Sequence, residues 1–130
     1  MILECYHIFK QIEQRPAMWT GEATLRSIHI YMSGYYHAMI ENCIVKNAEK
    51  EELFFEWVAK KLGYYESTAG WVNMILAFCM DFDPQTIDWE EVFLTPVSKE
   101  QHLKSIACFY IFIDEFTREY ENKKLYLLDK

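Results

Sequence analysis

The chain has 130 residues, of which 52% are apolar and 17% aromatic, so we expect one domain with a substantial core. Its 20 acidic and 13 basic side chains leave seven net negative charges. This balance opposes attraction to phosphate and to anionic lipid, which argues against nucleic acid and membranes as partners. No apolar run reaches the roughly 20 residues needed to cross a bilayer, so the sequence predicts a soluble protein.

The N-terminus and the cysteines both bear on the cellular compartment. The segment MILECYHIFKQIEQ lacks the basic stretch and continuous apolar run of a secretory signal, so we expect a cytoplasmic protein. The cysteines are widely spaced and form no CxxC or CxxH pair of metal-ligand spacing. We expect all four to be buried, reduced thiols: Cys5, Cys43, Cys79 and Cys108.

A first helix and a corner are predicted at the start of the chain. Apolar residues spaced three and four apart indicate a helix, which ends before Pro16 because the residue preceding a proline avoids the helical region. The stretch RPAMWTGEATL, residues 15–25, then turns a corner. We expect Met18 and Trp19 to plug the core beneath this turn and Gly21 to free the backbone.

A long second helix follows the corner. The same apolar spacing continues from Leu25 to Val45, and Thr20 or Thr24 is the candidate N-cap. Gly34 inside this helix indicates a close crossing with another helix. The beginning of the chain is therefore predicted to be a helix, a corner and a helix.

Two further helices are predicted in the middle of the chain. Acidic residues at the start of the third helix and basic residues at its end match the helix dipole: Glu49, Glu51, Glu52, Lys60 and Lys61. Gly63 follows directly and favours the end of that helix. The fourth helix can be capped by Ser67 or Thr68 and must stop before Pro84.

The last third of the chain predicts a short helix within residues 86–94 and a long final helix. Ser98 with Gln101 three residues later forms a capping box, and apolar residues follow at helical spacing to about Tyr120. Strand signals are thin, since no Asn-Gly or Asp-Gly hairpin turn is present. We therefore predict an all-α fold, a single compact domain of five or six helices over residues 1–130.

Patterns that carry known chemistry are missing from the sequence. The glycines are isolated, so there is no phosphate-binding loop. His37 and Glu41 stand four apart on one helix, but no further residue completes a metal-ligand set. The acids from Asp81 onward do not form a calcium loop, because Thr86 and Val92 stand where glycine and glutamate are needed. We expect no cofactor, no metal and no enzymatic activity.

The strongest compositional signal is an acidic run late in the chain. Residues 63–97 contain six acidic residues and neither lysine nor arginine, and five of the six fall within residues 81–91 among apolar side chains. Such a mixture suits recognition of a basic partner, with Trp89 as the buried anchor. The candidate partner-binding residues are Asp81, Asp83, Asp88, Trp89, Glu90 and Glu91. The alternative interpretation is a solvated loop followed by a helix start.

Two segments resemble a known protein family. RPAMWTGEATL, preceded by FKQIEQ and followed by YMSGYYHAM, is similar to an Arg-Pro, Met-aromatic, Gly and Ser/Thr-Leu pattern in small bacterial immunity proteins encoded beside polymorphic or contact-dependent growth inhibition toxins. FFEWVAKKLGYYESTAGWVNMIL resembles the helix, Gly and Gly-Trp arrangement of the same family. The resemblance covers about residues 5–80 and implies a protein that neutralises a toxin.

The segment around Pro16 is also similar to an Arg-Pro-Gly-Met-Tyr-Ile-Gly stretch in the B-subunit family of DNA gyrase. That family needs a Glu and an Asn one helical turn apart and a later Asp-x-Gly-x-Gly motif. Here Glu41 and Asn42 are adjacent and the glycine motif is missing, so we do not expect an ATPase.

Taken together, these features predict a cytoplasmic immunity protein. We expect it to bind a cognate toxin domain of basic character, such as a nuclease, and to occlude the active-site groove with its acidic run. The main alternative is a small enzyme or ligand-binding domain with a pocket between aromatic-rich helices. A third hypothesis is an oligomer whose exposed aromatic residues form a self-interface.

Overall fold

Helices make up all the regular structure in the residues that the computed structural model describes, which are 1–45, 53–65 and 69–128. Seven helices follow one another in these ranges: α1 (Tyr6–Glu13), α2 (Pro16–Thr20), α3 (Leu25–Glu41), α4 (Phe54–Leu62), α5 (Gly70–Cys79), α6 (Trp89–Leu94) and α7 (Lys99–Leu128). The predicted all-α class is confirmed, and the number exceeds six because the corner after α1 folds as the separate helix α2. Five residues given roles at helix starts lie outside the described residues: Glu49, Glu51, Glu52, Ser67 and Thr68.

The long helix α7 is the element around which the others pack. Helices α1, α3, α4 and α5 all contact it. It extends to Leu128, farther than the predicted end near Tyr120. Its buried face repeats at helical spacing through Ile106, Phe109, Ile113 and Phe116. None of the helices within the described ranges has both the length and the apolar character that a membrane span requires.

Phe109 lies at the centre of the core and has no exposed surface. Its ring stacks on Trp71 of α5, with the centroids 4.9 Å apart and the ring planes at 11°. It meets Phe9 of α1 and Phe54 of α4 edge-on, at centroid distances of 5.3 Å and 6.2 Å. Both arrangements are favoured for aromatic pairs. One side chain of α7 therefore contacts three other helices.

Predicted caps are in place at several helix ends. Thr24 caps α3, since its Oγ1 accepts a hydrogen bond from the N–H of Ser27 at 3.1 Å. Ser98 and Gln101 form the reciprocal capping box of α7, with bonds of 3.1 Å and 2.9 Å. Gly63 ends α4 in the left-handed conformation, with φ +83°. Hydrogen bonds and backbone conformations of residues close in sequence thus determine where these helices begin or end.

The corner differs from the prediction in what it buries. Pro16 occupies the first turn of α2 as well as following the end of α1, and Gly21 ends α2 with φ +83°. Met18 is 75% exposed and Trp19 is 41% exposed, and the Trp19 ring meets the edge of Tyr31 at 6.4 Å. The expectation that Met18 and Trp19 plug the core is wrong, because the single turn of α2 carries both side chains on its outer side.

The fully buried side chains of α3 all lie in its first two turns. Its buried residues are Leu25, Ile28 and Met32. A Cβ on Gly34 would meet no atom within 4 Å, so the close crossing expected at this residue is absent. The helix ends at Glu41 and not at the predicted Val45. Beyond Met32, α3 contributes only partly buried side chains to the edge of the core, among them Tyr36 and Met39.

The four cysteines have different surroundings. Cys5 and Cys79 are buried as expected, whereas Cys108 is half-buried and Cys43 is exposed. Cys43 lies just beyond α3, in a left-handed conformation with φ +59°, where the chain has left the core. The expectation of buried thiols is therefore wrong for Cys43 and is met in part for Cys108.

Replacing Phe109 and Trp19 in turn tests this assignment of the core. Phe109→Ala should lower the free energy of unfolding by about 3 to 5 kcal/mol, because it leaves a cavity among rings from three helices. Trp19→Ala should lower it by less than about 1.5 kcal/mol, because much of the indole is already in water. Urea unfolding of both variants measures the difference, and equal losses would contradict the assignment.

His29 should make stability depend on pH. Its ring packs edge-on against Trp71 at 4.9 Å, and burial lowers its pKa below the ordinary value of 6.5. The unfolded chain then binds the proton more tightly, so the His29 contribution should be constant above the unfolded pKa and should destabilise the fold as pH falls below about 6.5. His29→Gln, which cannot titrate, should lose less stability in this range. Urea unfolding across the range checks this, and parallel profiles would show the idea to be mistaken.

Candidate protein-binding surface

The acidic run begins where α5 ends and folds back on the end of α4. Asp81 has φ +64°, a left-handed conformation that reverses the chain. The N–H of Phe82 donates to the carbonyl of Ala77 at 3.1 Å, which closes this reversal. Further on, Gln85 Nε2 donates to the carbonyl of Gly63 at 2.8 Å. These bonds hold the loop against both helices.

The apolar residues of the run face inward. Ile87 and Trp89 pack against the core, and Val92 is 3% exposed. Burying an unpaired carboxylate is costly, so the acidic residues between them turn to solvent. The alternation seen in the sequence therefore becomes a segment with an apolar inner side and an acidic outer side.

The five carboxylates of the run are all exposed and form what we call the acidic surface: Asp81, Asp83, Asp88, Glu90 and Glu91. None of the five forms an ion pair with another described residue. Their negative charge is therefore open to an incoming partner. The sequence analysis placed these residues at one site, and the structure places them along one exposed loop and helix start.

Two of the carboxylates also hold the local backbone. Asp83 Oδ1 accepts a hydrogen bond from the N–H of Gln85 at 2.9 Å. Asp88 Oδ1 accepts one from the N–H of Glu90 at 3.1 Å and is the N-cap of α6. Glu90 and Glu91 lie in the first turn of α6, where negative charge favours the helix dipole. Part of the acidity thus has a structural cause within the segment.

Trp89, the predicted anchor, is half-buried and forms the middle of a row of three rings. Its ring lies 5.7 Å from Tyr64 at 26° and 6.1 Å from Phe93 at 29°. Tyr64 is buried, and its hydroxyl donates to the carbonyl of Met74 at 2.9 Å. Burial raises the pKa of Tyr64 to about 12, so this donor keeps its proton at neutral pH. Part of the Trp89 ring is therefore already covered by contacts within the fold, and the ring also supports Phe93.

Phe93 and Leu94 are the residues of this region that the sequence analysis missed. Phe93 is 55% exposed and Leu94 is 77% exposed. Both lie on the face of α6 that carries Glu90, since residues three and four apart are neighbours on a helix. The available signal was the run Val-Phe-Leu in a short helix, because successive side chains point about 100° apart and cannot all be buried.

A groove of about 660 Å³ lies between α4 and the C-terminal part of α7. Trp57 Nε1 donates to Glu119 Oε2 at 2.6 Å inside it. Lys61 Nζ lies 2.8 Å from Glu115 Oε2 and 5.6 Å from the centroid of the Trp57 ring. The hydrogen bond to Glu115 raises the pKa of Lys61, which keeps this amine charged. The polar groups of the groove thus brace α4 against α7.

Metal ligands do not converge in the described part of the chain. No group of three or more His, Cys, Asp or Glu side chains there is placed to hold an ion. His37 and Glu41 form an exposed pair on α3, with Nε2 and Oε1 3.1 Å apart. What the described surface offers is a cluster of unpaired carboxylates next to exposed apolar side chains, an arrangement suited to binding a protein.

The chain matches no protein-family model, no curated protein and no solved structure.

Two substitutions of Asp88 separate its role as the N-cap of α6 from its contribution to the charge of the acidic surface. Asp88→Ala removes the acceptor for the N–H of Glu90 and should lower the free energy of unfolding by about 1 kcal/mol. Asp88→Asn keeps an oxygen in the same place and should leave stability within about 0.5 kcal/mol of the wild type. Thermal unfolding of both variants measures this, and equal losses for Asn and Ala would exclude the capping role.

Proposed function

We propose that this chain is a toxin-neutralising protein that binds a basic toxin domain through the acidic surface and the neighbouring apolar pair Phe93 and Leu94. The observation that carries the proposal is the exposure of this pair beside carboxylates that have no ion-pair partner among the described residues. Exposed apolar side chains rimmed by charge are typical of protein interaction sites.

The toxin as partner is inferred from the resemblance to immunity proteins over about residues 5–80. The part of the chain that carries this resemblance supports the acidic surface directly. Gly63 accepts the hydrogen bond from Gln85, and Tyr64 stacks on Trp89. The proposed interface is thus built on the segment that is similar to the family, although the interface itself lies beyond it.

The proposed mechanism is occlusion of a basic groove. A nuclease groove carries lysine and arginine side chains that hold phosphate, and carboxylates on a protein surface present similar charge to them. Long-range attraction would speed association, while burial of Phe93 and Leu94 would slow dissociation. Phe93 stacks on Trp89, which in turn stacks on Tyr64, so little side-chain freedom of Phe93 is lost on binding.

The alternative, a small enzyme or ligand-binding domain, would use the groove between α4 and α7. Its volume and its aromatic lining, Trp57, Phe116 and Tyr120, suit a small molecule. Two of its charged groups are, however, already engaged, Lys61 by Glu115 and Glu119 by Trp57. A lysine that acts as a general base would need a lowered pKa, whereas the pKa of Lys61 is raised. The self-interface hypothesis predicts a dimer, which light scattering would detect.

The proposal expects a toxin gene beside this one, and binding to the toxin domain that it encodes is the test. Phe93→Ala and Trp89→Ala should each weaken binding by about 2 kcal/mol or more, roughly 30-fold in Kd. The double variant Glu90→Lys with Glu91→Lys should slow association and flatten its dependence on salt. Stopped-flow association at several salt concentrations and calorimetry provide the two measurements.

Matched controls separate this surface from general effects. Ile30→Ala removes a side chain that is 72% exposed on α3, and Glu41→Lys with Glu56→Lys changes the net charge by the same amount away from α6. Both controls should keep wild-type affinity. Because Trp89 also packs on Tyr64, its variant is compared only after circular dichroism shows it folded. Wild-type affinity and salt dependence in a variant without all five carboxylates would reject the proposal.

A further inference from the structure

Two polar contacts define how α4 and α7 run past the groove between them. Lys61 pairs with Glu115, and Trp57 donates to Glu119. From the first contact to the second, the partner on α4 moves four residues back and the partner on α7 moves four residues forward. Four residues are about one helical turn, so the two helices run antiparallel with matching turns.

One turn further along, the polar contacts end. The next pair in this register is Leu53 with Lys123, and both residues line the groove. A leucine side chain has no acceptor for an ammonium group. Lys123 also forms no ion pair with any other residue in the part of the chain that the structure describes. The groove is therefore lined by an ammonium group whose opposite position on α4 is apolar.

The other charges of the groove differ in how far they are already engaged. Lys61 and Glu119 are held by the contacts described above. Lys60, Lys123 and Glu56 also line the groove, are exposed, and lack an ion-pair partner within the described ranges. Two unpaired ammonium groups against one unpaired carboxylate favour a ligand with a negative charge.

The apolar part of the lining is fixed on its inner side and open at its edge. The Trp57 ring stacks on Phe54 at 6.0 Å and 13°, and it meets Phe116 edge-on at 5.9 Å. Leu53 and Tyr120 are 54% and 49% exposed. An indole held in this way offers a flat apolar surface, and aromatic lining with a few polar groups is typical of small-molecule sites.

We propose that the groove between α4 and α7 binds a small aromatic acid, with the ring system against Trp57 and Leu53 and the carboxylate paired with Lys123. Lys60 adds attraction at longer range, and Glu56 opposes it. The groove volume of about 660 Å³ lies within the range of roughly 300 to 1,000 Å³ that ligand sites have. This site goes beyond the proposed toxin binding, because it shares no residue with the acidic surface and is measured without a toxin.

Fluorescence titration of the folded chain with 1-anilinonaphthalene-8-sulfonate tests the site, since this probe carries an aromatic body and one negative charge. We expect one probe per chain and an affinity that falls as salt is added. N-phenyl-1-naphthylamine has the same ring system without the sulfonate and should bind more weakly, by roughly two- to fivefold. 2-Naphthoate should displace the sulfonate probe, whereas 2-naphthylmethylammonium, of similar shape and opposite charge, should not.

Variants of exposed residues locate the bound probe. Lys123→Gln should raise the Kd of the sulfonate probe by roughly two- to fivefold, and Lys60→Gln should raise it less. Glu56→Gln should lower this Kd, because it removes a repelling charge. The matched control Lys99→Gln changes a lysine at the other end of α7 and should leave the Kd unchanged.

The apolar part of the proposal has its own pair of variants. Leu53→Ala should raise the Kd by roughly threefold or more. Leu103→Ala, which truncates a leucine that is 49% exposed on α7 outside the groove lining, should not. Circular dichroism confirms that each variant is folded before the titration.

Several results would overturn the proposal. They are the absence of saturable binding, equal affinity for the charged and the uncharged probe, and preferential binding of 2-naphthylmethylammonium. A Kd that responds to Lys99→Gln as much as to Lys123→Gln, or to Leu103→Ala as much as to Leu53→Ala, would also overturn it, because the probe would then bind elsewhere.

Discussion

The contact of Phe109 with rings from three other helices is the interaction on which the structure depends. Chain connectivity does not hold α1, α4 and α5 against α7. The positions of these three helices follow instead from how Phe9, Phe54 and Trp71 pack around the buried ring of Phe109. Aromatic side chains suit this role, since each buries a large area and prefers defined edge-on or offset geometry. Part of the high aromatic content of the sequence thus forms the centre of the core, while other aromatic side chains, such as Phe93, are exposed.

Aromatic packing also connects the core to the surface of α6. Tyr64 follows α4 and is fixed by the carbonyl of Met74, Trp89 stacks on Tyr64, and Phe93 stacks on Trp89. A helix of six residues has little stability of its own, so α6 is held by this row and by the burial of Val92. The acidic surface therefore sits on a support that reaches inward to the central helices.

Features set by neighbours in sequence could be predicted, whereas those set by distant contacts could not. The capping box of Ser98 and the exposure of the carboxylates follow from local hydrogen bonding and the cost of burying charge. The exposure of Trp19 depends on which way one turn of helix faces, and apolar spacing does not contain that information. At the site, the acidic residues were found from composition, but the exposure of Phe93 and Leu94 depends on how α6 packs, which the composition does not show.

The double use of Asp83 and Asp88 has a consequence for how such a surface can change over generations. At both positions the fold requires an oxygen that accepts a hydrogen bond from a backbone N–H. The carboxylate at each position also contributes one negative charge to the acidic surface. Asparagine supplies the acceptor oxygen but no charge. Replacing Asp by Asn therefore removes one negative charge from the acidic surface and leaves the loop geometry intact. Under the proposed function, exchange of Asp and Asn at these two positions would adjust the charge presented to the partner and keep the hydrogen bonds of the loop.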